Sequence, residues 1–244
     1  MNMKAVVVLL AVAGIASPAS ACGFLGLFCK EDKKCPPRGF DSVDNFDLDR
    51  YISEPWYVQE QMPLRYQPED QLFCVRAVYD YIDPQEKSKG VVVYNYANEK
   101  KVNGKARGTN GSGGQGSAFS ALRAFVPDAS QPSKLEVGPN FFQEIFGRRI
   151  AQVFYGPYWV VALDPNYEWA IISGGAPTIE TEKGCIPGMK FFSRFNGKGF
   201  WLFSRKPVDP ESTAIMRQKA EEMGFDTSVL LNVEQEGCKY KGAI

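Results

Sequence analysis

The chain has 244 residues, 44% hydrophobic and 13% aromatic, so it is long enough to bury a large core as one domain. Its 28 basic and 28 acidic residues give zero formal net charge, so no nucleic-acid partner is expected. Histidine is absent, which excludes Ser/His/Asp and Cys/His catalysis and removes the commonest metal ligand. We predict no metal site and no cofactor.

Residues 1–21 have the pattern of a cleaved export signal. Lys4 precedes an apolar run from Ala5 to Ile15, and Ala19-Ser20-Ala21 fits the small-residue rule for cleavage, so the mature chain is expected to begin at Cys22. The apolar run is too short to span a bilayer, and no later stretch approaches the ~20 apolar residues of a membrane helix. The expected location is secreted or another exported compartment: extracellular, periplasmic or the lumen of a plastid.

Six cysteines remain after cleavage. In an exported chain an even number indicates disulfide bonds, although spacing alone leaves their pairing open. Cys22 could instead carry a lipid, as in bacterial lipoproteins, but Ala19 stands where such signals usually have Leu, and Cys29 would then be unpaired. No Cys-x-x-Cys pair occurs, so a zinc site is not predicted. The six are Cys22, Cys29, Cys35, Cys74, Cys185 and Cys238.

The folded domain is expected over residues 45–240, after a Cys-rich arm at residues 22–44. It opens with one short helical turn that leads directly into a strand. Asp47 suits the positive end of the helical turn, Pro55 stops it, and the strand formers of Trp56–Gln61 follow. A large indole at the start of a strand indicates either a plug or an ordinary core side chain.

Seven further strands follow, separated by Asp-Pro, Asn-Gly and Gly-Gly turn signals. They are rich in Val, Tyr, Phe and Trp, which favour strands. Eight strands in antiparallel hairpins either leave two exposed edges or close into a barrel wide enough for one small ligand. We predict an all-β fold, an eight-stranded antiparallel up-and-down barrel. The seven are Leu72–Tyr81, Val91–Ala97, Ala118–Val126, Lys134–Val137, Tyr158–Leu163, Tyr167–Ser173 and Gly199–Arg205.

One helix is predicted near the C-terminus. Asp209 is a good N-cap, and Gly224 ends the helical pattern. Ile215 and Met223 recur at near-helical spacing, so we expect this face to pack against the outside of the sheet. A short closing strand is predicted at Val229–Val233.

The segment Asn103–Ser117 is predicted to be a flexible loop at one rim. It holds six glycines in fifteen residues and contains the glycosylation sequon at Asn110. Phosphate binding is not favoured, because the segment lacks a Gly-Lys-Ser/Thr ending and leads into a strand rather than a helix.

The order of these motifs resembles the lipocalin family. A Tyr-x-x-x-x-Trp-Tyr entry at Tyr51, the run Tyr158–Asp164, the run Trp201–Arg205, a Pro-started helix and a late Cys carry the resemblance. It covers residues 35–238 and is greatest to the group of apolipoprotein D, bacterial, plant temperature-induced and plastid lipocalins. Glu54-Pro55-Trp56 replaces the usual Gly-x-Trp, and only Asp164 matches the usual Thr-Asp-Tyr.

The resemblance implies a barrel with one closed end and one open end. Trp56 would plug the closed end with Arg205 across its face, a cation–π pair contributing about 1 kcal/mol. The open end would lead to a binding site for a small hydrophobic molecule. The disulfides implied by similarity to apolipoprotein D are Cys35–Cys185 and Cys74–Cys238, which leaves Cys22–Cys29.

The implied interior combines aromatic and aliphatic side chains with one Asn, which suits a long apolar ligand bearing one hydroxyl or carbonyl. Fatty acids, sterols, retinoid-like isoprenoids and carotenoids meet this description. The same side chains could instead fill a packed core. Matching family positions gives four residues, and period-two alternation adds five. The four are Tyr79, Asn95, Tyr158 and Trp201, and the five are Ala77, Val91, Val93, Val160 and Phe203.

We expect an exported lipid carrier or scavenger rather than an enzyme. Some proteins of this fold isomerise prostaglandins with a free Cys or open carotenoid epoxides with acidic residues, but here every Cys is expected to be paired. A third possibility is an interaction module that acts through its rim. An apolar run at the rim is expected to cover the mouth or touch a membrane. Its residues are Phe141, Phe142, Ile145 and Phe146.

Overall fold

The computed structural model of the protein describes residues 34–64, 66–108, 122–139, 154–188 and 199–244. All of them belong to one compact unit, residues 33–244. The predicted export signal lies outside the described residues. The cysteines of the predicted Cys22–Cys29 disulfide, the sequon and the apolar rim run also lie outside them; these residues are Cys22, Cys29, Asn110, Phe141, Phe142, Ile145 and Phe146.

The strands form a closed antiparallel barrel with eight strand positions, which confirms the predicted fold class. Successive side chains of a strand point to opposite sides of the barrel wall: in β2, Ala77 and Tyr79 are buried inside, whereas Asp80 is exposed. The described strands are β1 (Trp56–Gln61), β2 (Phe73–Tyr81), β3 (Val91–Glu99), β4 (Lys105–Gly108), β5 (Leu122–Phe125), β6 (Lys134–Pro139), β7 (Gly156–Leu163), β8 (Trp169–Ser173), β9 (Ile179–Glu180), β10 (Cys185–Ile186), β11 (Phe200–Ser204) and β12 (Leu231–Asn232).

Two of these strands share one position in the barrel. Both β4 and β5 pair with β3, β4 at its C-terminal end and β5 at its N-terminal end. The barrel order is therefore β1, β2, β3, β4 with β5, β6, β7, β8 and β11, and β11 pairs back with β1. The prediction of a loop over Asn103–Ser117 is wrong for the four residues of β4, which form a strand. Its sequence Lys-Ala-Arg-Gly has no β-branched or aromatic residue, so pairing with β3 rather than propensity makes it a strand.

A helix packs against the outside of the barrel as predicted, but with a different face. Helix α2 (Pro210–Glu222) has Asp209 as its N-cap, whose side chain accepts a hydrogen bond from the Ser212 amide at 3.2 Å. Met216 and Ala220 are fully buried, whereas Ile215 is 46% exposed. The predicted Ile215 contact is wrong because Met216, Ala220 and Met223 form the i, i+4, i+7 stripe, and Ile215 lies about 100° from it.

Hydrophobic residues pack in two layers. One cluster fills the barrel interior, and it contains Trp56 and Tyr79. The other lies between the barrel wall and α2, and it contains Trp169 and Met216. No helix in the described ranges is both long and apolar enough to cross a membrane.

The ends of several elements differ from the prediction. The sixth predicted strand begins at Trp169 rather than Tyr167, because Tyr167 has φ 66° in the preceding turn. The closing strand is shorter than Val229–Val233: a 3₁₀ turn precedes β12, which pairs with β1. Strands β9 and β10 form a separate two-stranded sheet that was not predicted.

Candidate functional site

One end of the barrel is closed by a short helix, α1 (Leu48–Ile52), and by an arginine laid over a tryptophan. Trp56 is fully buried, and its Nε1 donates a hydrogen bond to the Tyr51 carbonyl at 2.9 Å. The Arg205 guanidinium carbon lies 3.5 Å from the Trp56 ring centroid. Its N–H groups donate to five backbone carbonyls, two of which belong to the last turn of α1. These acceptors belong to Arg50, Tyr51, Glu54, Pro55 and Tyr167.

Three tyrosine hydroxyls meet above this closed end. The Tyr158 hydroxyl lies 2.6 Å from that of Tyr51 and 2.8 Å from that of Tyr79. Burial raises the pKa of Tyr79 to about 12 and also raises the pKa values of Tyr51 and Tyr158, so all three hydroxyls keep their protons near neutral pH. The Tyr51 and Tyr79 hydroxyls also interact with each other, so the three hydroxyls form one hydrogen-bonded cluster.

A cavity of about 70 Å³ lies inside the barrel above the tyrosines. Its lining is mainly aliphatic and aromatic, and Tyr79, Tyr158 and Trp201 border it. Tyr66 also borders the cavity and is 48% exposed, so it marks the mouth. Among the described lining residues none is Lys, Arg, Asp or Glu. The site can therefore bind an apolar molecule and hydrogen-bond to an uncharged polar group.

A β-bulge in β1 brings a glutamine into this cavity. Trp56 and Val58 face inward, so simple alternation would place Glu60 inside. The register of β1 against β11 shifts between Val58 and Glu60, and Gln61 borders the cavity instead.

Comparison with known proteins identifies the family. A family model described as a lipocalin-like domain matches residues 46–179, more than half of the chain. The chain belongs to the lipocalin family. Among curated proteins, the outer membrane lipoprotein Blc of Escherichia coli strain K12 is 27% identical over 220 residues, which cover 90% of this chain and 95% of that protein. The protein of the same name from Citrobacter freundii is 26% identical over 221 residues, with 90% and 96% coverage.

A solved structure also matches this lipocalin. Insecticyanin from the tobacco hornworm Manduca sexta has a TM-score of 0.52 and 18% identity, covering 83% of this chain and 87% of that chain. At this identity the likeness shows the fold alone. It agrees with the closed eight-stranded barrel and its outer helix.

The structure places most of the predicted interior residues of the lipocalin around the cavity. Val91 and Val160 are fully buried in the interior core but do not border the cavity. Trp56 and Arg205 lie together at the closed end. The predicted residues that do border the cavity are Ala77, Tyr79, Val93, Asn95, Tyr158, Trp201 and Phe203.

Nine lining residues were not predicted. Alternation from Trp56 and Ala77 would have found Val58 and Val75, which occupy the same inward phase. Gln61 carries no such signal, because the bulge reverses the phase before it. The nine are Val58, Gln61, Tyr66, Gln67, Val75, Leu122, Val137, Gly156 and Pro157.

Two disulfides tie distant parts of this lipocalin together. Cys35 is bonded to Cys185 and Cys74 to Cys238, with sequence separations of 150 and 164 residues. Both pairs are those implied by the resemblance. Disulfides of this kind are typical of exported proteins and rare in the cytosol.

Proposed function

We propose that this lipocalin is an exported carrier or scavenger that binds a small hydrophobic ligand inside its barrel. The observation that carries the proposal is the apolar interior cavity, which Trp56 and Arg205 close at one end and Tyr66 marks at the other. The ligand would be a fatty acid, a sterol, a retinoid-like isoprenoid or a carotenoid. It would contact the predicted interior residues that border the cavity, with Val91 and Val160 packed in the core around them; these contacts are Ala77, Tyr79, Val93, Asn95, Tyr158, Trp201 and Phe203.

The composition of the interior supports a binding role over catalysis. Each cysteine in the described ranges takes part in a disulfide, so no described thiolate is available as a nucleophile. No described carboxylate borders the cavity, and the bordering Tyr79 and Tyr158 have raised pKa values, so neither hydroxyl is an ionised base near neutral pH.

The cavity volume sets a condition on the proposal. Ligand pockets usually measure roughly 300 to 1,000 Å³. At about 70 Å³ this cavity can admit a whole ligand only if some of its lining side chains move aside. The same volume favours a second candidate function, an interaction module that acts through its rim without a ligand.

A binding experiment separates the two functions. The chain is expressed in an oxidising host, extracted with organic solvent for mass spectrometry, and titrated calorimetrically with a fatty acid, a sterol, a retinoid and a carotenoid. We expect saturable binding of one class, weakened about tenfold by Trp201→Ala because that ring borders the cavity. Trp159→Ala is the matched control, since Trp159 lines an outer groove instead. No binding and no extracted lipid would contradict the carrier function.

Export and modification are proposed on separate grounds. The relatives named outer membrane lipoproteins favour the alternative in which Cys22 carries a lipid, whereas an even set of cysteines favours a Cys22–Cys29 bond. Intact-mass measurement of the protein from its native source separates these outcomes. The same spectrum reports whether Asn110 carries a glycan.

A further inference from the structure

The side chain of Gln61 is buried without a hydrogen-bond partner. It has no exposed surface, and neither Oε1 nor Nε2 has a partner. The large majority of buried side-chain polar atoms are paired, because an unpaired one loses its bonds to water without replacement. Gln61 borders the cavity, so a molecule in the cavity could pair with both atoms.

The neighbours of Gln61 hold it in this position from the outside. The Gln59 amide donates to the carbonyls of Lys206 and Pro207 at 3.0 and 3.1 Å. Glu60 forms an ion pair with Arg217 of α2 at 2.7 Å. Because both preceding side chains are fixed on the outer face, the bulge keeps Gln61 directed inward, where a Leu would avoid the cost of burying an amide.

The amide specifies the chemistry of its partner. It offers one acceptor oxygen and one donor nitrogen. A carboxylate could only accept, and within the described lining it would meet no cationic side chain. Burying an uncompensated charge costs far more than burying a neutral polar group.

We infer that Gln61 is the polar anchor of the cavity and that it selects an apolar molecule ending in an uncharged group that both donates and accepts, an alcohol or a primary amide, over a carboxylate. This inference rests on the proposed carrier function and narrows it. It also accounts for an amide at a position where an aliphatic side chain would avoid the cost of burying a polar group.

The test uses the full disulfide-bonded chain and four ligands with one hydrocarbon chain. Dodecan-1-ol, dodecanamide, dodecanoate and methyl dodecanoate are titrated calorimetrically at neutral pH. We expect the alcohol and the amide to bind about tenfold more tightly than the carboxylate or the ester, a ratio that one net hydrogen bond supplies. Gln61→Leu should lower alcohol affinity about tenfold more than ester affinity, because the ester can accept from the Gln61 amide but cannot donate to it.

The control is Gln67→Leu, because Gln67 borders the same cavity but its amide nitrogen has a partner, the Gln71 carbonyl at 3.5 Å. This variant should keep the order of affinities. Thermal unfolding without ligand should give Gln61→Leu a melting temperature no lower than that of the unsubstituted protein. Tighter binding of dodecanoate, or an unchanged alcohol-to-ester ratio in Gln61→Leu, would overturn the role of Gln61 alone. No binding by any of the four would overturn the carrier function as well.

Discussion

Arg205 joins three separate backbone segments at the closed end of the barrel. Its guanidinium donates to carbonyls in α1, in the turn before β1 and in the turn before β8, while its plane covers Trp56. A planar group with five N–H donors can make these contacts together, whereas an ammonium group cannot. The residue therefore fixes how α1 seats on the barrel.

Replacing Arg205 by Lys should lower the free energy of unfolding by ~2 to 3 kcal/mol, because several charge-assisted hydrogen bonds and the ring contact are lost together. Arg50→Lys is the control: Arg50 lies over the Tyr167 ring at 4.2 Å on the surface, and its loss should cost less than about 1 kcal/mol. Urea unfolding followed by far-UV circular dichroism measures both. Equal losses would contradict the role given to Arg205.

The ionisation of Tyr79 should make the folded protein less stable at high pH. Burial raises its pKa to about 12, above the value near 10 of an unfolded tyrosine, so its contribution is full below about pH 10 and is lost as pH rises towards 12. The loss amounts to ~2 to 3 kcal/mol. Tyr79→Phe should cost about 1 kcal/mol at pH 8 through its lost hydrogen bond and should fall less steeply above pH 10. Parallel pH curves from urea unfolding would refute this assignment.

Among the elements, α2 offers adjacent side chains with opposite environments. Met216 is fully buried against the barrel wall, and Ile215 is exposed. Met216→Ala should lower the free energy of unfolding by ~2 to 4 kcal/mol through the cavity it leaves. Ile215→Ala should change it by less than about 0.5 kcal/mol. Urea unfolding measures both variants. A larger loss for Ile215→Ala than for Met216→Ala would mean that the helix packs through its Ile215 face instead.

The elements also show what the sequence can predict and where it fails. Alternation and turn signals find the barrel strands, because inward and outward side chains differ in character along a strand such as β2, whereas β3 is found by its Val and Tyr content. They miss β4, whose residues have low strand propensity and depend on pairing with β3. They also miss Gln61, because a bulge is a property of two paired strands and leaves no pattern in one of them.

At the scale of the whole molecule, the two disulfides attach both outer segments to the barrel region. One joins residue 35 of the arm to β10, and the other joins β2 to the tail after β12. Each closes a loop of more than a hundred residues in the unfolded chain. Long loops lose the most conformational entropy when they are closed, so each bond should stabilise the fold through the unfolded state.

Replacing Cys74 and Cys238 together by Ala should lower the free energy of unfolding by ~3 to 5 kcal/mol. Replacing Cys35 and Cys185 together should have an effect of similar size, since the two loops differ little in length. Urea unfolding under non-reducing conditions measures both double variants. An unchanged midpoint in either variant would contradict the contribution of that bond.

The four tryptophans give the molecule a separate optical reporter in each region. Trp56 lies under a guanidinium at the closed end, Trp201 borders the cavity, Trp169 is buried beneath α2, and Trp159 lies in an outer groove with the Lys134 ammonium 4.7 Å from its ring centroid. Their emission should differ, because indole fluorescence depends on local polarity and on nearby charges. Variants that keep a single tryptophan would report occupancy, opening of the closed end and detachment of the helix as three distinct signals.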